Sequence, residues 1–258
     1  MTQPVKLSYL KLLLIRHAQS AGNVQRRMEG QSSTSLTDLG RQQARQLARL
    51  IVPTAPNRPL MGWPTHLYSS PLLRAQQTAQ PLIDALQSLD HQFQTIVDSR
   101  LQEIHQGIFQ GLTWSEAQAQ FPDLCAHLMS SLEWHPVPGA ESPTAASTRS
   151  HHWLQHILSA HSPGDTVWAV SHAGIMLHLI TEIMGCVSEA SPKENRLWQT
   201  EIDHTATFEF WLSQLDLNHP LKASQPDAFS PKRWILKRFN QVVSDPLAVP
   251  AQTNCLAE

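Results

Sequence analysis

Cysteine is scarce in this chain. Three thiols, Cys125, Cys186 and Cys255, are spread over 258 residues. An odd number without CxxC spacing supplies neither a disulfide framework nor a structural zinc site, and it suits a reducing compartment. Long apolar runs are missing as well. The run near the start is interrupted by Lys11 and ends at Arg16, too short for a signal-peptide core or a membrane span, so a soluble cytoplasmic protein without a membrane partner is expected. Neither sign of charge dominates: 19 Lys and Arg stand against 21 Asp and Glu, for a net charge of −2. Without a global basic field there is no electrostatic footprint for nucleic acid. Lys232-Arg233 and Lys237-Arg238, interleaved with Trp234, Ile235, Leu236 and Phe239, read as an edge strand with a charged outer face. No HExxH occurs among the 14 histidines. The pair His152 and His156, beside His151 and without a neighbouring carboxylate in sequence, reads as a solvated helix face, so no metal and no cofactor is expected. Any anion site has to be built locally.

What is present is an alternation of strands and helices. Leu12-Leu13-Leu14-Ile15 is a run without polar interruption, the mark of a strand buried on both faces, and it stops at Arg16-His17. Asp165 to Ser171 repeats the arrangement, an apolar strand ending at His172 and followed by Gly174 and a helix that reaches Met184 and stops at Gly185. Between them, Ala21 to Ser35 reads as a loop. Thr37 caps a helix with Leu39, Leu47, Leu50 and Ile51 on one side, ending before Pro53. Pro53 to Pro64 is a proline-punctuated connection, and Leu67-Tyr68-Ser69 a short strand. Ser70-Pro71 reads as a helix start, with Ser as cap and Pro at the first helical position, and the helix continues through Leu72, Ala75, Ala79, Leu82, Ile83 and Leu86.

Thr95 to Val97 is a further strand. Gly107 and Gly111 imply tight turns just after Glu103, and Thr113-Trp114-Ser115-Glu116 is a capping box for a helix that Phe121-Pro122 ends. Pro136 to Pro143 leads into a helix carrying Trp153, Ile157 and Leu158. Thr205 to Leu212 is β-rich, and Trp234 opens a last strand. Residues 213–233 read as a loop insertion, and the tail from 246 to 258 is expected to be poorly ordered. The outcome is one α/β domain over residues 1–245 with a mostly parallel sheet.

In such sheets the ligand crevice lies outside the carboxyl ends of the strands. Arg16, His17, Arg74, Glu103 and His172 all fall at strand ends, loops or helix starts facing that edge. A cation in the first turn of a helix opposes the dipole, so Arg74 calls for an anion nearby; the alternative is a solvent-exposed arginine. Two guanidiniums and two imidazoles make a poor core and a good receptor for a phosphoryl group.

The blocks Leu14-Ile15-Arg16-His17-Ala18-Gln19-Ser20 with Asn23, Leu36-Thr37-Asp38-Leu39-Gly40, Ser69-Ser70-Pro71-Leu72-Leu73-Arg74, Glu103 with Gly107 and Gly111-Leu112-Thr113-Trp114, Pro138-Gly139-Ala140-Glu141-Ser142 and Val170-Ser171-His172-Ala173-Gly174 occur in one order. In that order they resemble the histidine phosphatase superfamily, the group with the phosphoglycerate mutase-like fold. The resemblance implies a three-layer α/β/α sandwich and phosphoryl transfer through His17 as nucleophile. Arg16, Arg74 and His172 would hold the non-bridging oxygens and Glu103 would be the proton donor. Asn23, Gly30 and Gln31 would contribute on the substrate side. His17 must then be neutral at the attacking nitrogen, with its other nitrogen donating a hydrogen bond that fixes the tautomer. The competing place for Glu103 is a surface pair with Arg100.

Ala18 and Ala173 stand where the family more often has glycine, and Ser33 where it often has aspartate, which leaves open what fixes the loop from Gly30 to Leu36. The segment from Trp114 to Pro138 contains no Lys or Arg, whereas mutases of this type use a longer basic segment there. The expected activity is therefore a metal-independent phosphatase acting on a small phosphorylated metabolite. A cofactor-dependent phosphoglycerate mutase is the nearest alternative, and a catalytically inactive phospho-ligand-binding protein the alternative of another class. Sugar phosphates, phosphoglycerates, cofactor precursors and phosphoamino acids all share the phosphate, and a homodimer is compatible with the chain.

Overall fold

A computed structural model describes residues 8–52, 62–130, 135–185, 201–214 and 234–242. Strand β1, Tyr9–Arg16, lies inside the sheet with Leu12, Leu13, Leu14 and Ile15 all buried, as an unbroken aliphatic run requires. Alternate side chains then feed two separate cores. Leu13 and Ile15 pack with Leu47 and Ile51 of α2 (Asp38–Ile51) and with Ala75, Ala79 and Leu82 of α3 (Leu73–Gln87). Leu12 and Leu14 pack on the opposite side with Trp153 and Ile157 of α6 (Pro143–Ala160) and Met176 and Leu179 of α7 (Ala173–Ile183). The result is the expected three-layer α/β/α sandwich.

Among the described residues the sheet has six strands in the order β3-β2-β4-β1-β5-β6. The pairs of β2 (His66–Ser69) with β3 (Gln94–Val97) and with β4 (Thr166–Ser171), and of β1 with β4, are parallel. Strands β5 (Thr207–Ser213) and β6 (Trp234–Gln241) are antiparallel additions beside β1. The capping box at Thr113 and Glu116 opens α4 (Trp114–Gln120), and α5 (Pro122–Ser130) follows. Gly107 and Gly111 both have positive φ, 58° and 84°, the turns expected after Glu103.

Several details differ from the sequence reading. The stretch after Ser20 is not all loop: α1, Ala21–Val24, is a single turn in which Ser20 and Asn23 form a reciprocal capping box. Ser70 does not cap α3. The N-cap is Leu72, without a side-chain bond; Ser70 lies two residues before it, where its hydroxyl accepts Leu72 N–H at 3.3 Å and also meets His172. Leu39 is 50% exposed, since it falls in the first turn of α2, beyond the reach of the sheet. Met184 is likewise exposed. His151 does have a carboxylate, supplied by Glu182 of the neighbouring helix at 2.7 Å, a partner that distance in sequence conceals.

Strand β6 is the sheet edge, but its exposed side chains include Ile235, Leu236 and Phe239 as well as Lys237. Strand β5 runs through Ser213, so the proposed insertion begins later than expected. The remainder of the insertion beyond Gln214, the tail, the connection from Pro53 to residue 61, Lys232, Arg233, Cys186 and Cys255 lie outside the described residues. Among the described residues no helix is long and apolar enough to cross a membrane.

Candidate active site

The parallel register pairs Arg16 with Ser171, and the next rung, His17 N–H to the Ser171 carbonyl at 2.9 Å, continues it. His17 and His172 therefore leave adjacent strands at one level, with ring centroids 5.0 Å apart. His17 is 3% exposed. Its Nδ1 lies 2.7 Å from the carbonyl oxygen of Ala18, and because a carbonyl can only accept, Nδ1 carries the proton and Nε2 the lone pair. Arg74 Nε donates to that Nε2 at 3.3 Å. The backbone turn after His17 is held by Thr78, whose hydroxyl oxygen accepts from Ala18 N–H at 3.0 Å and donates to the Arg74 carbonyl at 2.7 Å.

Arg74 is 1% exposed, so the solvent-exposed reading of this residue is wrong. Its Nη1 and Nη2 donate to the carbonyls of Ser32 and Gly30 at 2.8 and 2.7 Å, and Glu29 lies 3.7 Å from its Nε. Burial lowers its pKa, opposed mainly by Glu29. Glu29 is the anchor of the loop left open by Ser33. Its carboxylate accepts from Ser20 Oγ at 2.8 Å, from Asn23 Nδ2 at 2.9 Å and from the Thr34 hydroxyl. Gln110 adds a bond to Gln31 N–H at 3.0 Å, and Gln31 Nε2 donates to the Glu103 carbonyl at 3.1 Å.

Arg16 donates to the carbonyl of Ile202 and keeps a buried Nε without a partner among the described residues. Burial lowers its pKa, with Glu103 the largest opposing influence. His172 Nε2 meets Ser70 Oγ at 2.8 Å, while its buried Nδ1 has no partner among the described residues. Burial pushes the pKa of both His17 and His172 well below the ordinary value; Arg74 reinforces this at His17, and His17 itself reinforces it at His172. Both imidazoles are therefore neutral at neutral pH.

Glu103 does not pair with Arg100, which is committed to Asp98 at 2.6 Å. Its carboxylate instead accepts Gly174 N–H at 3.1 Å and Ile175 N–H at 3.0 Å, sitting on the free amides that open α7, directly beside His172. The segment carrying Glu103 is braced by Arg149, which pairs with Glu141 at 2.6 Å and donates to the carbonyls of Arg100 and Gln102.

All five expected site residues thus converge. Gly30 and Gln31 border the pocket through Arg74 and Glu103. Asn23 is close as well, but its amide is taken up by Ser20, Glu29 and His204. The sequence reading missed His204, Glu29, Ser70, Thr78 and Gln110. The ring of His204 lies 6.3 Å from that of His17, and burial, with Arg16 adding to it, lowers its pKa to about 4. Its signal was its place just before β5, but that signal needs the antiparallel direction of β5 to be known. Among the described residues no group of three His, Cys, Asp or Glu side chains could hold a metal.

The sequence profile of the histidine phosphatase superfamily (branch 1) matches residues 12–207. The chain belongs to this superfamily. It is 29% identical over 250 residues to the glucosyl-3-phosphoglycerate phosphatase of Mycolicibacterium vanbaalenii, covering 92% of this chain and 98% of that protein. It is also 29% identical to phosphoglycerate mutase-like protein 4 of Arabidopsis thaliana, over 67% of this chain and 70% of that one. Among solved structures, native mycobacterial glucosyl-3-phosphoglycerate phosphatase superposes with a TM-score of 0.66 at 25% identity, covering 90% of this chain and 99% of the other. A structure of that enzyme complexed with VO3 gives 0.65 with the same coverage. The match to the histidine phosphatase superfamily spans every residue of the site, from Arg16 to His204.

Proposed function

We propose that the chain is a metal-independent phosphatase that hydrolyses a small phosphomonoester through a phosphohistidine on His17. The observation that carries this reading is the unprotonated Nε2 of His17, held between its own locked Nδ1–H and the guanidinium of Arg74. Nε2 attacks phosphorus, the N–P bond forms, and the ester P–O bond breaks. Glu103 in its protonated form gives its proton to the departing alkoxide. Arg16, Arg74 and the free nitrogen of His172 bind the non-bridging oxygens, whose charge they stabilise throughout transfer. The Glu103 carboxylate then takes a proton from water as that water attacks the phosphoenzyme, which releases inorganic phosphate and restores both groups.

Hydrolysis, rather than transfer back to a retained substrate, is supported by the absence of Lys and Arg between Trp114 and Pro138, where a second anionic group would need cations. The phosphatase relative also aligns over nearly the whole of both chains.

The experiment is a panel of labelled phosphomonoesters with EDTA present, quenched in alkaline detergent, using wild type and His17→Ala. Phosphate release together with acid-labile label on wild type alone is the expected result. Dependence on a divalent metal, or label on His17→Ala, overturns the mechanism. Interconversion of phosphoglycerates faster than phosphate release, with a bisphosphate primer, makes the protein a mutase. Phosphate binding without turnover of any ester makes it a binding protein.

A further inference from the structure

His204 belongs to the pocket, yet the phosphoryl chemistry gives it nothing to do. Its Nε2 lies 2.9 Å from Asn23 Oδ1. That oxygen also receives Ser20 N–H at 3.1 Å, and the Asn23 amide nitrogen donates to Glu29 at 2.9 Å. The amide orientation is therefore fixed from both ends, and Oδ1 can only accept. It follows that His204 carries its proton on Nε2 and presents a lone pair on Nδ1. With a pKa lowered to about 4 the ring stays neutral at physiological pH. The half-buried ring makes no hydrogen bond through Nδ1 to any described residue.

An acceptor is out of place in a pocket of donors. Phosphoryl oxygens accept hydrogen bonds, so Nδ1 cannot bind them. At 6.3 Å between ring centres, His204 is within the span of a phosphoryl group seated on His17 and the first carbons attached to it. What Nδ1 can take is a donor carried by the leaving alcohol. A carboxylate offers none. An ammonium would meet the positive charge of Arg16, which already helps to keep a proton off His204. A neutral hydroxyl satisfies both conditions.

We infer that His204 is a specificity-determining residue, whose Nδ1 accepts a hydrogen bond from a hydroxyl next to the ester carbon, and that the substrate class is therefore polyol or sugar phosphates. Asn23 is a positioning residue that fixes the tautomer of His204, with Glu29 behind it. This inference rests on the phosphatase reading above. A site that hydrogen-bonds a substrate hydroxyl rejects the analogue lacking it, because its own polar group is left unpaired.

The test compares glycerol 3-phosphate with propyl phosphate, two esters of equal charge and backbone that differ only in hydroxyls, using kcat/KM for each. Wild type favours glycerol 3-phosphate, and His204→Phe lowers that preference about tenfold, the size of one neutral hydrogen bond. His204→Gln, which keeps a donor for Asn23 and an acceptor for the hydroxyl, restores part of it, and Asn23→Ala loses part of it. A purely structural role for His204 would lower both esters by one factor and leave the ratio where it was. That result overturns the inference, as does a wild type without preference, which requires no variant to fold. Turnover of both esters with an unmoved ratio defeats the role of His204 alone; no turnover of either ester and no label on His17 defeats the phosphatase reading and this inference with it.

Discussion

Nε of Arg74 donates to Nε2 of His17 across 3.3 Å, so the cation sits on the lone pair that attacks phosphorus in the proposed mechanism. The same guanidinium holds the carbonyls of Gly30 and Ser32 with its two remaining nitrogens. One side chain thus ties together the nucleophile and the loop after Glu29. A phosphoryl group entering the pocket has to take over donors that the protein itself uses in the free state, and the planar fork of arginine can redistribute them without losing its place.

Arg74→Lys keeps the charge and loses the fork. A single ammonium cannot serve His17 and both carbonyls, so kcat/KM for p-nitrophenyl phosphate falls by about 100-fold or more. Steady-state kinetics check this, and retention of wild-type kcat/KM would contradict the role of Arg74.

Glu103→Gln keeps one acceptor oxygen at the start of α7 and can no longer give or take the proton. Removing a general acid costs roughly 100- to 10,000-fold, and the loss falls hardest on alkyl phosphates, whose alkoxides leave badly without a proton. With p-nitrophenyl phosphate the first step needs no acid, so rapid mixing shows a burst of one equivalent of nitrophenol before slow turnover. An equal loss for both kinds of ester, without a burst, would argue that Glu103 acts only as a helix cap.

The buried histidines make stability depend on pH in a defined direction. His17 and His172 are pulled well below the ordinary histidine value, and His161 and His204 down to about 4, each primarily by burial. Below a pH of about 6.5 the unfolded chain takes up protons on these residues and the native chain does not. Stability is therefore highest above that pH and declines as pH falls toward 4. Thermal melting at pH 7.5, 6 and 5 checks this: the midpoint drops stepwise, and a constant midpoint would show that these rings titrate normally.

Gly40→Ala places a methyl 2.0 Å from the backbone oxygen of Gln19, a group that cannot rotate away. The N-terminus of α2 has to shift, at about 1–3 kcal/mol in urea denaturation. Because Gln19 follows His17 by two residues, kcat falls with it, and unchanged stability would show that the contact relaxes freely.

The parts of the molecule written in local sequence were legible. The continuous aliphatic run of β1, the capping box at Thr113 and the turns at Gly107 and Gly111 each follow from short-range physics, and each is where it was expected. That Arg16, His17, Arg74, Glu103 and His172 come together was also legible, because parallel strands deliver their carboxyl ends to one edge. Other features depend on long-range partners and were not legible. Ser70 looked like the cap of α3, and its hydroxyl takes up Leu72 N–H and also His172, 102 residues away. Glu103 was read as a site residue, but its seat on the amides of α7 is a long-range contact that the local sequence does not show. His204 reaches the pocket because β5 runs antiparallel to β1, which brings the beginning of that strand, rather than its end, to the edge where the parallel strands finish. Strand direction is a tertiary choice that hydrophobic patterning does not encode.

The hydrogen bond from His17 N–H to the Ser171 carbonyl is a rung of the central ladder as well as a part of the pocket. Separating the two histidine rings would therefore mean unzipping the most deeply buried pair of strands. The amide proton of His17 should exchange with solvent only in molecules that have opened globally, so the spacing of His17 and His172 survives for as long as the fold does.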